Sequence, residues 1–152
     1  KAQLEDILES GISGAYGGIR ISDNDTVIIP GCCCDLSSID DWKQFLETGE
    51  KPWTGHDPAP WITEEGNHLY LWKDGGLERK EIGPPILTSK QKFTEKLNEA
   101  IQVLIPFKEA CVNWLTENEI PRAEEIGNLL SSDFDAIGYF ADNLPNSSHT
   151  QS

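Results

Sequence analysis

Three adjacent cysteines, Cys32, Cys33 and Cys34, and the later pair His56-Asp57 are the side chains of this sequence best suited to chemistry. Thiolates and imidazoles are zinc ligands. A thiolate beside an imidazole oriented by a carboxylate is the nucleophile of a cysteine-histidine-acid triad. Structural zinc takes four such ligands around a tetrahedron, usually from Cys-x-x-Cys pairs. Here the cysteines are contiguous and neighbouring side chains diverge. Only one or two of them are expected to ligate, and His56 and Cys111 would have to complete the set. No metal and no cofactor is therefore expected. In the thiol-enzyme alternative, Cys33 or Cys34 sits at the positive N-terminal end of a following helix, with His56 as base and Asp57 as orienter. Asp57 precedes Pro58, however, and Asp before Pro is a common turn former whose carboxylate bonds local amides. No catalytic or cofactor motif surrounds these residues, so the reading favours a tightly packed loop of small apolar side chains over catalysis.

Two irregular stretches hold these residues, Ile29 to Asp35 and Pro52 to Trp61, and they are expected to meet in space. Between them Ile39, Trp42, Phe45 and Leu46 recur at helical spacing. Ser37 or Ser38 is the candidate cap, Asp40 and Asp41 lie in the first turn, and Gly49 is the stop. The loop that follows contains three prolines between Lys51 and Pro60 and no period, which predicts an ordered wrap rather than a strand or helix. Before the cysteines, Ala15 to Ile21 and Thr26 to Ile29 read as a hairpin around Asp23-Asn24-Asp25. Gly17-Gly18 marks a bulge or a close backbone approach in its first arm. After the loop, Trp61 to Thr63, His68 to Trp72 and the polar run Leu77 to Ile82 read as a meander, with Pro84-Pro85 as a stiff spacer beyond it.

A capping signal at Thr88-Ser89 opens a helical stripe of Phe93, Leu97, Ala100, Ile101 and Leu104. Pro106 should kink or restart it before Phe107, Ala110, Cys111, Trp114 and Leu115. A last stripe follows Pro121, from Ile126 to Leu144. Leu4, Ile7 and Leu8 suggest a short opening helix over residues 3–10. The expected fold class is α+β, an antiparallel sheet of hairpin plus meander packed against C-terminal helices. Residues 1–144 are expected to form one domain and 145–152 a flexible tail.

Twelve Lys and Arg against 26 Asp and Glu give a net charge of -14, which argues against binding nucleic acid and for a basic partner or high solubility. The excess is segregated: residues 1 to 50 carry ten acids and three bases, residues 117 to 152 seven and one, and the middle is near neutral. Asp40, Asp41, Glu47 and Glu50 fall on the polar face of one helix and Glu124 and Glu125 on another. Each is a candidate docking face for a basic protein. Trp53 and Trp61 flank the proline loop, and aromatic residues there suit interface anchors as well as cores. With His56 and Asp57 they complete the candidate partner-binding set. No apolar run approaches the ~18 residues of a membrane span. Clustered cysteines do not make a disulfide framework, and no basic-then-apolar leader opens the sequence, so a reduced, cytoplasmic setting is expected.

The run Ile29-Pro30-Gly31-Cys32-Cys33-Cys34, then Asp41-Trp42, then Pro52 to Trp61 with Gly55-His56-Asp57-Pro58, resembles small acidic uncharacterised bacterial proteins with the same Pro-Gly-Cys-Cys-Cys and Gly-His-Asp-Pro signature. In size, charge and α+β pattern the chain is also similar to SMI1/KNR4-like immunity proteins of bacterial toxin systems. That resemblance implies a non-enzymatic protein that binds and neutralises a basic toxin. Dense carboxylates suit that task because they accelerate encounter with a basic cleft.

Overall fold

The computed structural model describes residues 16–75 and 81–131. The expected opening helix, most of the strand expected over 77–82, the apolar stripe beyond Ser131 and the tail lie outside the described residues.

Asp23 organises the first hairpin. Its carboxylate accepts hydrogen bonds from the backbone N–H groups of Thr26 at 2.7 Å and Asp25 at 3.0 Å, which reverses the chain. The strands on either side are shorter than the sequence suggests: β1 is Ile21–Ser22 and β2 is Val27–Ile28, with Ile21 opposite Ile28. Pro30 cannot continue a ladder, and Gly18 lies against its ring, so the remainder of the expected first arm is a close approach rather than a strand.

Helix α1, Ser38–Thr48, follows the cysteines and ends at Gly49, whose backbone is left-handed (φ 78°) and whose N–H donates to the Phe45 carbonyl at 2.8 Å. The expected apolar face is the buried one: Ile39, Trp42 and Phe45 are all buried, with Leu46 packed beside them. Trp42 meets Phe93 with ring centroids 5.4 Å apart, so α1 is anchored to the C-terminal half of the chain.

Strands β3 (Trp61–Glu65) and β4 (His68–Trp72) pair antiparallel across a two-residue turn, with Trp61 opposite Trp72 and Glu65 opposite His68. Leu69 and Leu71 are almost wholly buried, as the alternation predicts, and Trp72 is buried as well. The third strand departs from expectation. Strand β5 is Ile86–Ser89, beyond the double proline, and pairs antiparallel with β4, whereas Ile82 makes only an isolated bridge to Asp74. Pro84-Pro85 thus lies within the β region and does not separate it from the helices. Among the described residues, hairpin and meander also form two separate sheets, of two and three strands, rather than one continuous sheet.

Ser89 ends β5 and caps α2, Lys90–Glu117, accepting from the Lys92 N–H at 3.1 Å. The helix runs through Pro106 without a restart. Its buried positions Phe93, Leu97 and Ile101 share one apolar cluster with Ile28, Ile39, Trp42, Phe45, Ile62, Leu69, Leu71 and Ile86. Each such side chain contributes roughly 1.5–3 kcal/mol by leaving water. Helix α3, Ala123–Ser131, packs back along the second half of α2, where Gly127 lies against Val112 and Ile126 is fully buried. The architecture is α+β, with antiparallel pairing throughout the described strands and helices at the C-terminal end.

Candidate functional site

The two irregular stretches meet through their backbones. The Gly31 N–H donates to the Thr54 carbonyl at 2.8 Å and the Cys32 N–H to the Asp57 carbonyl at 3.3 Å. The approach is close enough to require glycine. A Cβ on Gly31 would sit 2.0 Å from the Pro58 carbonyl oxygen, and one on Gly55, whose φ is +96°, 2.6 Å from Gly31 Cα. Each loop is tied down on its far side. The Gly17 N–H donates to the Cys34 carbonyl at 3.1 Å, while the Gly75 N–H donates to Ala59 at 2.7 Å and Thr54 Oγ1 to Pro60 at 2.7 Å. The Asp35 carboxylate receives the Ser37 N–H at 2.9 Å and the Ser37 hydroxyl, which fixes the turn into α1.

This frame sends the three cysteines to different places. Cys34 is buried, and Cys32 and Cys33 are exposed. Cys33 has a left-handed backbone (φ 66°), unusual for a residue with a Cβ. The divergence expected of adjacent side chains presupposes ordinary backbone, and the turn at Cys33 removes that premise. The sulfurs of Cys32 and Cys33 and a ring nitrogen of His56 lie within 4.8 Å of one another, all on exposed residues. Cys111, proposed from sequence as a completing ligand, is not part of this group. The His56 ring stands edge-on to Trp53, centroids 4.8 Å apart at 82°, and Trp53 is 47% exposed.

The electrostatics single out a different thiol from the ones the sequence pointed to. The backbone N–H groups of His56 and then Asp57, aided by the Cys33 thiol, hold Cys32 below the ordinary thiol range. Hydrogen bonding and charge from Cys32 push Cys33 up. Burial first, and then the carboxylates of Asp35 and Asp41, push Cys34 up despite its place before α1. Cys111 is raised by burial. The signal for this site lay in Gly31 and Gly55 rather than in the cysteines themselves: two glycines at matching places in two loops mark where backbones cross.

The carboxylates of the candidate docking faces divide by their partners. Asp40 binds the buried Lys43 ammonium at 2.8 Å, and Asp41 is half-buried. Glu47 and Glu50 are exposed, with Glu50 accepting from Gln44 at 2.7 Å. Glu124 is exposed, while Glu125 accepts from Arg122 at 2.6 and 3.1 Å, which holds its carboxyl below the usual range. Trp61 is half-buried beneath Lys51, whose Nζ is 3.6 Å from the ring centroid. Trp53 is therefore the better exposed of the two tryptophans. A separate cleft of about 510 Å³ between β1 and α2, lined by Ser22, Asp23, Lys92 and Lys96 among others, contains no cysteine or histidine.

Comparison of the chain with protein-family models, curated proteins and solved structures found no match. No helix among the described residues is long and apolar enough to cross a membrane.

Proposed function

We propose that the protein acts without catalysis, by binding another protein, and that the partner is a basic toxin or toxin-like enzyme that it neutralises. The observation that carries this reading is the exposed Trp53, set on a loop fixed by backbone hydrogen bonds and flanked by exposed Asp57. Tryptophan is among the residue types enriched at the hot spots of protein interfaces. The exposed carboxylates Glu47 and Glu50 on the neighbouring helix and loop supply the charge that a basic surface would meet.

The test is co-purification with the product of the neighbouring reading frame, followed by binding kinetics. Charge reversal at Glu47, Glu50 and Glu124 should slow association and flatten its salt dependence, whereas Trp53→Ala should mainly speed dissociation. Asp40 is a poor choice for such a reversal, because it would set two cations side by side at the buried Lys43. Reversals that leave binding to every captured protein unchanged, together with a turnover assay that depends on Cys32 or His56, would replace this reading with catalysis.

A further inference from the structure

Beyond protein binding, the geometry points to Cys32, Cys33 and His56 as a three-ligand site for a thiophilic metal ion, zinc(II) in the first instance, with its fourth position open to solvent. Three features of the fold converge on it. The donor atoms, two sulfurs and one ring nitrogen, already lie within 4.8 Å of one another. A tetrahedral zinc bound at about 2.3 Å to sulfur and 2.0–2.1 Å to nitrogen holds such donors about 3.5–3.8 Å apart, so closure about an ion needs shifts of about an ångström or less. Side-chain rotation on exposed residues supplies that movement.

The second feature is the backbone at Cys33. A left-handed conformation at a residue other than glycine is unfavourable and persists only where the surroundings impose it, and such positions cluster at functional sites. Here its effect is to turn two sequence-adjacent thiols to the same side, which ordinary extended backbone does not do. A structural role for the turn alone would be better served by glycine, as at Gly55 nearby, whose φ is +96°.

Third, the ligands are held from outside. The His56 ring rests edge-on against Trp53, and the Cys32 backbone is held by the bond from its N–H to the Asp57 carbonyl. Contacts made from outside the ligand set orient metal ligands in this way. Charge also matches: two thiolates and a neutral imidazole balance a divalent cation. Soft thiolate ligands favour zinc over magnesium, calcium or manganese. Structural zinc sites are closed by four protein ligands, so three leave one position for water or an incoming ligand.

The experiment is zinc and cobalt(II) titration of the full chain, stripped with a chelator and kept reduced. One equivalent of zinc should bind. Cobalt should give the visible bands of a tetrahedral ion with thiolate-to-cobalt charge transfer, and zinc should raise the melting temperature. Cys32→Ser, Cys33→Gly and His56→Ala should each weaken zinc by more than the 10- to 100-fold expected for loss of an outer-shell partner, while Cys111→Ser leaves it unchanged. Cys33→Gly suits the backbone, so its loss of zinc cannot be ascribed to misfolding when its melting curve without metal matches the parent. Absence of stoichiometric zinc, or binding that survives in Cys33→Gly or His56→Ala, overturns the proposal. A protein with the zinc site and no protein partner would sink the binding function alone.

Discussion

Gly31→Ala tests whether the site depends on the crossing of two backbones. The added Cβ would fall 2.0 Å from the Pro58 carbonyl oxygen and 3.0 Å from that of Thr54, and backbone atoms cannot rotate aside as a side-chain end does. Overpacking of this kind costs about 1–3 kcal/mol. Separating the loops also weakens the bonds from Gly31 to Thr54 and from Cys32 to Asp57, each with a net contribution of about 1 kcal/mol. A destabilisation of about 3 kcal/mol follows, a large part of the roughly 5–15 kcal/mol that holds a domain together. For a chain of this size it should lower the melting temperature by about 6–12 °C. Gly66→Ala is the comparison: Gly66 has φ +59° with nothing within 4 Å of its added Cβ, so it should lose only the left-handed penalty of about 1–2 kcal/mol. Gly31 lies outside the left-handed region, so its effect is steric alone. Urea unfolding followed by tryptophan fluorescence, with the slope checked for constancy, measures both. Gly31→Ala within about 0.5 kcal/mol of the parent, beside a Gly66→Ala that loses its expected amount, would refute the crossing.

Three further outcomes follow from the same structure. Cys33→Gly should unfold at an equal or higher urea concentration than the parent, by up to about 1–2 kcal/mol, because it relieves the left-handed strain; a clear loss would mean that the Cys33 side chain packs. In metal-free protein, iodoacetamide with peptide mapping should modify Cys32 first. Its lowered pKa makes the thiolate fraction at neutral pH larger than in a free cysteine, so its rate should begin to rise at lower pH, while Cys34 and Cys111 react last; equal rates for the exposed and buried thiols would contradict this. Ile101→Ala, at 1% exposure, should cost about 2–5 kcal/mol in equilibrium unfolding, whereas Val103→Ala, at 69% exposure, should stay within about 0.5 kcal/mol.

Helix α1 was legible because Ile39, Trp42 and Phe45 keep helical period and Gly49 supplies the stop, and the same residues are buried in the fold. Strands β3 and β4 were legible from the alternation around Leu69 and Leu71. Strand β5 was not, since its four residues fall between a double proline and the cap Ser89, and both signals drew attention away from a strand. Pro106 predicted an interruption, yet the helix continues because tertiary packing on both sides outweighs one missing hydrogen bond. The placement of the three cysteines was not legible either. Counting ligands and assuming ordinary backbone set the adjacent cysteines apart, whereas the decisive variable is the φ of Cys33, which no residue type announces. Gly31 and Gly55 were the better clue, though a glycine states that something comes near without saying what.

Helix α2 also has a consequence for motion. Its 28 residues span about 42 Å at 1.5 Å per residue, and its ends answer to different neighbours: Phe93, Leu97 and Ile101 belong to the core of sheet and α1, while Val112 lies against Gly127 of α3. Pro106 sits between them and has no N–H to offer the Gln102 carbonyl. In amide hydrogen exchange the helix should therefore behave as two joined segments. Protection before Pro106 should follow openings of the sheet core, and protection after it should follow the undocking of α3. An unbroken helix by backbone angle thus becomes, on the timescale of local unfolding, a hinge with a fixed address.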